Sequence, residues 1–169
     1  MFRTLALALS YPRAGLLEDL KAQSSAWPKH PAKQAFARFL EAIEGLGLSA
    51  WEELYTETLD MNPKLVPYVG YVVWGESYRR GDFMASLKAE MDRLGIDTGG
   101  ELPDHLAPIL RYLDLAEHPL PSLIEVLEPA VLRMKKDLAA LSPQNPYLHL
   151  LDAILVRVGE RFQKERRKG

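Results

Sequence analysis

The spacing of the apolar residues limits most strongly how this chain can fold, because it is helical over nearly the whole length. Phe36, Phe39, Leu40, Ile43 and Leu46 recur at intervals of three and four, and Gly47 follows where a helix can stop. Ser49 is placed to cap the next segment. There Trp51, Leu54, Tyr55 and Leu59 share one side while Glu52, Glu53 and Glu57 favour the other, giving a second amphipathic helix that ends near Asp60. After Gly81 the pattern resumes with Phe83, Met84, Leu87, Met91 and Leu94, and Gly95 stands where a left-handed C-cap belongs. Past a loop at residues 96–102, Pro103 suits the first turn of a helix with Leu106, Ile109, Leu110 and Leu113 on its apolar side. Asp104 would then lie near the positive end of that helix dipole. Leu123, Leu127, Val131, Met134, Leu138 and Leu141 mark a long helix that Pro129 is expected to kink or divide. A last helix starts around Pro146, buries Tyr147, Leu150, Leu151, Ile154, Leu155, Val158 and Phe162, and gives way to polar residues expected to fray.

Residues 65–74 are apolar almost all round, so periodicity alone does not separate a buried helix from a buried strand. A lone strand would leave its backbone groups without partners, and no second β-branched run exists to supply them. The segment is therefore read as a central buried helix, and residues 2–9 as the first helix. The fold class is all-α: a single irregular helical bundle of about eight or nine helices over residues 1–162, followed by a polar tail at 163–169. A length of 169 residues suits one domain, and no internal repeat is visible.

The absence of cysteine excludes disulfides, thiolate metal sites and cysteine nucleophiles. With 47% hydrophobic and 26% charged residues the chain is too apolar for a disordered one, and a net charge of -2 gives no field to attract nucleic acid. The apolar stretch at residues 2–9 is too short for a signal peptide, and no run approaches the length of a membrane span. A soluble, cytoplasmic protein is expected.

Few residues offer catalytic chemistry. There is no GxSxG elbow and no P-loop, and Gly99-Gly100 is followed by Glu-Leu-Pro, which reads as a turn. His30, His105, His118 and His149 include no HxxxH pair, so neither a metal nor another cofactor is expected. Glu101, Asp104 and His105 could present two carboxylates and an imidazole to a substrate, or simply form a helix start with a first-turn acid. Glu76 and Arg80, four apart, could mark a site at the end of the apolar helix or form an ordinary ion pair with Gly81 ending the helix. Tyr55, Tyr68, Tyr71, Trp74 and Tyr78 have polar tips that suit the walls of a groove, and the same spacing suits core packing. The basic run at residues 164–168 reads as a solvated end.

Three stretches together are similar to a known family. Leu-Tyr-Thr-Glu-Thr-Leu-Asp at 54–60, Gly-Glu-Ser-Tyr-Arg-Arg-Gly at 75–81 and Glu-Leu-Pro-Asp-His-Leu at 101–106 resemble the NarJ-type maturation chaperones of respiratory nitrate reductase, within the wider TorD-like family. Leu-Ser-Tyr-Pro at 9–12 looks like the family's first-helix ending, so the resemblance covers roughly residues 5–115. It implies a non-catalytic helical protein that binds the N-terminal segment of the apo catalytic subunit. That subunit would be held ready for molybdenum cofactor insertion and assembly. The same resemblance carries client-binding roles to Tyr55, Asp60, Glu76, Arg80, Gly81, Pro103, Asp104 and His105, and gives the aromatic cluster, Tyr71 included, the groove walls. Acids such as Glu53, Glu57, Asp60 and Glu76 would face basic client residues. Gly99 and Gly100 form a plausible hinge, compatible with a monomer or a domain-swapped dimer. Two alternatives stand beside this reading. One is a same-fold chaperone for a dimethyl sulfoxide, trimethylamine oxide or polysulfide reductase; the other is a hydrolase or nucleotide-binding enzyme using Glu101, Asp104 and His105.

Overall fold

The computed structural model describes residues 1–61 and 63–168; Gly169, the end of the expected tail, lies outside them. The elements are α1 (Phe2–Ala8), α2 (Leu16–Ser25), α3 (Pro31–Glu44), α4 (Leu48–Tyr55) running into a π-helical turn (Thr56–Asp60), α5 (Val69–Trp74), α6 (Tyr78–Arg93), α7 (Leu106–Leu115), α8 (Pro121–Leu141) and α9 (Tyr147–Arg166). Among the described residues the only extended pairing is an isolated antiparallel bridge between Tyr68 and His105. The fold is an all-α bundle, and no described helix is long and apolar enough to cross a membrane.

The apolar stripes explain the packing. α3 and α9 make the most extensive contact, α1 lies on α7 and α9, and α8 lies on α9 and α5. Phe36, Phe39, Ile109, Leu127, Val131, Tyr147, Ile154 and Phe162 are fully sealed from solvent. A chain of ring contacts, Trp27–Phe36 at 5.1 Å, Phe36–Phe39 at 5.9 Å and Phe39–Tyr147 at 5.3 Å, fixes α3 against the start of α9. Aromatic pairs of this kind add about 0.5–1.5 kcal/mol each beyond the area they bury.

Several local readings are corrected. Leu16–Ser25 is a helix that few apolar residues announce: only Leu16, Leu20 and Ser24 of it are buried. Gly47, at φ 78°, precedes α4, so Ser49 sits in the first turn and caps nothing. The apolar segment 65–74 is helical only over Val69–Trp74, and it is not buried all round, since Tyr71 and Val73 are 42% and 38% exposed. Gly81 does not end a helix but lies inside α6, which begins at Tyr78. α7 begins at Leu106 rather than Pro103, because the His105 Nδ1 accepts the Ala107 N–H at 3.0 Å and supplies the cap. Pro129 does not divide α8. Both Pro129 and Glu125 four residues before it are exposed, so the carbonyl that loses its N–H partner faces water. At the C-terminal end, α9 continues through residues 163–166. There Arg161 pairs with Glu165 and donates to the carbonyls of Ala116 (2.9 Å) and Glu117 (3.0 Å), tying the last turns to the end of α7.

Candidate functional site

The three motif stretches meet around one buried ion pair. Asp104 is fully buried, and its carboxylate accepts from the Arg80 Nε at 2.9 Å and Nη2 at 3.3 Å. Arg80 is therefore partnered across 24 residues by Asp104, and the i,i+4 pairing with Glu76 does not form. The backbone reinforces this junction: Val69 N–H donates to the Asp104 carbonyl and Leu106 N–H to the Pro67 carbonyl, both at 2.8 Å. Gly70 makes the close approach feasible. A Cβ there would lie 2.9 Å from Asp104 Oδ2 and 3.0 Å from Arg80 Cγ. The Arg80 guanidinium also sits 5.7 Å from the Tyr68 ring centre and 5.4 Å from that of Tyr71, within cation–π range of both. Its hydrogen bonds to Asp104 hold it charged beyond the ordinary arginine range.

Beside the pair lies a cleft of about 330 Å³ that gathers Tyr11, Tyr55, Asp60, Tyr68, Glu101 and His105. The π-helical turn explains how Tyr55 and Asp60 reach it together. At about 100° per residue, positions five apart on an α-helix point about 140° away from each other. Here Met61 N–H donates to the Thr56 carbonyl at 3.1 Å, an i→i+5 bond, and the widened turn brings both side chains to the cleft. Tyr11 meets Tyr55 edge-on at 5.3 Å. The Tyr68 hydroxyl donates to Glu101 Oε2 at 3.0 Å, and its ring meets that of His105 at 5.2 Å and 84°.

These surroundings set the charges. Burial pushes the Tyr55 phenol up, with Glu101, Asp60 and Tyr11 adding to it. Burial and the bond to Glu101 push Tyr68 up to about 12. Burial pushes His105 below its usual 6.5, against the pull of Glu101 and Asp104. A neutral His105 also fits its role as cap, since an accepting Nδ1 leaves the proton on Nε2. Asp60 and Glu101 have no cation within ion-pair distance among the described residues, so the cleft is net negative and walled by tyrosine. Such a surface suits a cationic, amphipathic side chain.

The expected residues are thus divided. Tyr55, Asp60 and His105 line the cleft; Arg80, Asp104 and Tyr71 form its buried flank and outer edge. Glu76 is exposed in the α5–α6 turn, close enough to favour the Arg80 charge without pairing with it. Pro103 is half-buried in the turn before α7. Gly99 and Gly100, at φ 65° and 81°, occupy the exposed loop ahead of Glu101. Asp97 pins that loop, its Oδ1 accepting the Gly99 N–H at 2.8 Å and its carbonyl accepting from Arg111 at 3.1 Å. Glu101, Asp104 and His105 do not converge on one point, because Asp104 turns inward to Arg80 while Glu101 meets Tyr68. Among the described residues no group of three or more His, Asp or Glu could hold a metal. Sequence reasoning gave no role to Gly70, although a glycine within an apolar helical run is itself a signal of close packing. It also missed the π-turn, for which periodicity carries no sign.

A family model described as nitrate reductase delta subunit matches residues 28–144. No curated protein matches the chain. The matched span covers more than half of the chain and includes the π-turn, the Arg80–Asp104 pair and every expected client-binding residue. The protein therefore belongs to the nitrate reductase delta subunit family, the family of NarJ-type chaperones.

Proposed function

We propose that this protein is a cytoplasmic chaperone that binds the N-terminal segment of the apo catalytic subunit of nitrate reductase. It keeps that subunit ready for molybdenum cofactor insertion and complex assembly, and turns over no substrate of its own. The observation that carries the reading is the cleft in which Tyr11, Tyr55 and Tyr68 surround the uncompensated carboxylates Asp60 and Glu101. A basic client residue enters between the rings, and the carboxylates speed encounter and fix register more than they add affinity. Tyr68 shares Arg80 with Tyr71, so next to the cleft stands the exposed ring of Tyr71 on α5, an apolar surface beside the acidic one. An amphipathic client helix lays its apolar side there and its basic residue in the cleft. The Gly99–Gly100 loop adjusts Glu101 to the client.

Calorimetric titration with a peptide of about 20 residues from the start of the cognate catalytic subunit, some 30 Å long as a helix, tests this directly. Saturable binding with a negative heat-capacity change, absent for a scrambled peptide and weaker for a dimethyl sulfoxide reductase leader, is the expected result. Equal response to the scrambled peptide would reject it.

A further inference from the structure

We infer that Asn145 is a positioning residue for the client cleft, acting through Thr58 to hold the π-helical turn that brings Tyr55 and Asp60 to one side. The inference rests on the client-binding reading of the cleft. Thr58 stands at the middle of the turn and is completely buried; Asn145, between α8 and α9, is 4% exposed. Neither can touch a client, so any effect on binding passes through the residues they hold.

The Asn145 amide does two jobs at once. Its Oδ1 accepts the Tyr147 N–H at 2.9 Å across Pro146, which satisfies the first N–H of α9. Its Nδ2 donates to the Thr58 hydroxyl at 2.9 Å. A side chain with both an acceptor and a donor is needed, which serine in its place would not supply with the same reach. The turn is further fastened where Leu65 N–H donates to the Thr58 carbonyl at 2.9 Å, and α4 is tied to α9 where Trp51 Nε1 donates to the Tyr147 hydroxyl at 3.2 Å. π-helical turns are rare and are frequently found at functional sites, and this one must be held against relaxation to ordinary α geometry. Relaxation by one residue would swing Asp60 about 100° around the helix axis relative to Tyr55 and out of the cleft. The start of the C-terminal helix, all of which lies beyond the matched family span, thus helps set the geometry of a site built from earlier stretches of the chain.

The full-length chain carrying Thr58→Val tests the inference, because valine keeps the shape and leaves the Asn145 bond to the start of α9 intact. Asn145→Ser is the second variant, and Thr58→Ser restores the hydroxyl. Amide hydrogen exchange over residues 56–65 is expected to accelerate in the first two variants while the interior of α9 stays protected. Affinity for the catalytic-subunit peptide is expected to fall about tenfold, the equivalent of one net hydrogen bond, and to recover in Thr58→Ser. Combining Thr58→Val with Asp60→Asn should weaken binding little beyond the worse single variant, a non-additivity that a merely structural role would not produce. Unchanged exchange in the turn, wild-type affinity in Thr58→Val, or strictly additive losses each overturn the inference. Failure of the wild-type protein to bind the peptide would instead sink the client-binding reading, and this inference with it.

Discussion

Replacing Gly70 by alanine sets two physical effects against each other. Gly70 is the second residue of α5, where alanine is favoured over glycine by at most about 0.5–1 kcal/mol, so propensity alone predicts a more stable protein. The structure predicts the reverse. The new Cβ would lie 2.9 Å from Asp104 Oδ2, 3.0 Å from Arg80 Cγ and 3.2 Å from Phe83 Cδ1, three contacts that all have to open. Overpacking of this order costs about 1–3 kcal/mol, and displacing the buried Asp104 carboxylate from Arg80 moves the cost towards the 3–5 kcal/mol of a broken buried pair. After the propensity gain is subtracted, a net loss of about 2 kcal/mol remains, or about 4–8 °C in melting temperature for a chain of this size. Gly81→Ala is the matched control. It lies inside α6 with no atom within 4 Å of an added Cβ, so it should gain about 0.5–1 kcal/mol. Scanning calorimetry of the two variants decides the matter: a Gly70→Ala protein that melts at or above the wild type would refute the reasoning.

Acidification should expose His105. Its folded-state pKa lies below 6.5, so as pH falls through that value the unfolded chain takes up the proton first; stability is complete above it and declines below it. Urea unfolding against pH should show that decline, and His105→Asn, which keeps a cap acceptor, should flatten it. Asp60→Asn and Glu101→Gln should slow association with the basic client peptide at low ionic strength, with the difference from wild type vanishing in high salt and melting temperatures unchanged, as stopped-flow and calorimetry would read. Asp104→Ala should cost about 3 kcal/mol, the lower end for a broken buried pair because the Arg80 side chain keeps 16% exposure. The joint replacement Arg80→Met with Asp104→Val should restore most of that stability and still lose peptide binding; recovery of both would mean that the pair matters only for folding.

The helices most readily read from sequence were those with dense apolar stripes. α3, α8 and α9 each bury six or seven residues, enough for the period to stand out. α2 escaped because Leu16 and Leu20 are its only large buried side chains, and a pattern needs more than two points. The ends were harder than the interiors. Gly81 could terminate a helix or sit within one, and only the extension of α6 back to Tyr78 decides between them. The same uncertainty hid the nature of Asp104. Local sequence makes it a first-turn acid, whereas the cap belongs to His105 and the acid is turned into the core. No sequence rule links Asp104 to a partner 24 residues away, so the site's residue types were legible while their pairing was not.

The Arg80–Asp104 pair is a poor device for stability alone. Desolvating two charges costs several kcal/mol per ion, and apolar residues of similar volume commonly do as well or better. Its geometry explains why it is worth that cost here. Asp104 takes two hydrogen bonds from one edge of the guanidinium, which leaves the face of Arg80 to lie against Tyr68 and Tyr71. Tyr68 is then turned so that its hydroxyl meets Glu101 and its ring meets His105. One buried carboxylate thereby orders two tyrosines, an acid and an imidazole drawn from two separate stretches of chain. Apolar packing is non-directional and could hold α5, α6 and the 101–105 turn together without fixing how those polar tips point. Orientation of the cleft, rather than cohesion of the bundle, is what the charge supplies.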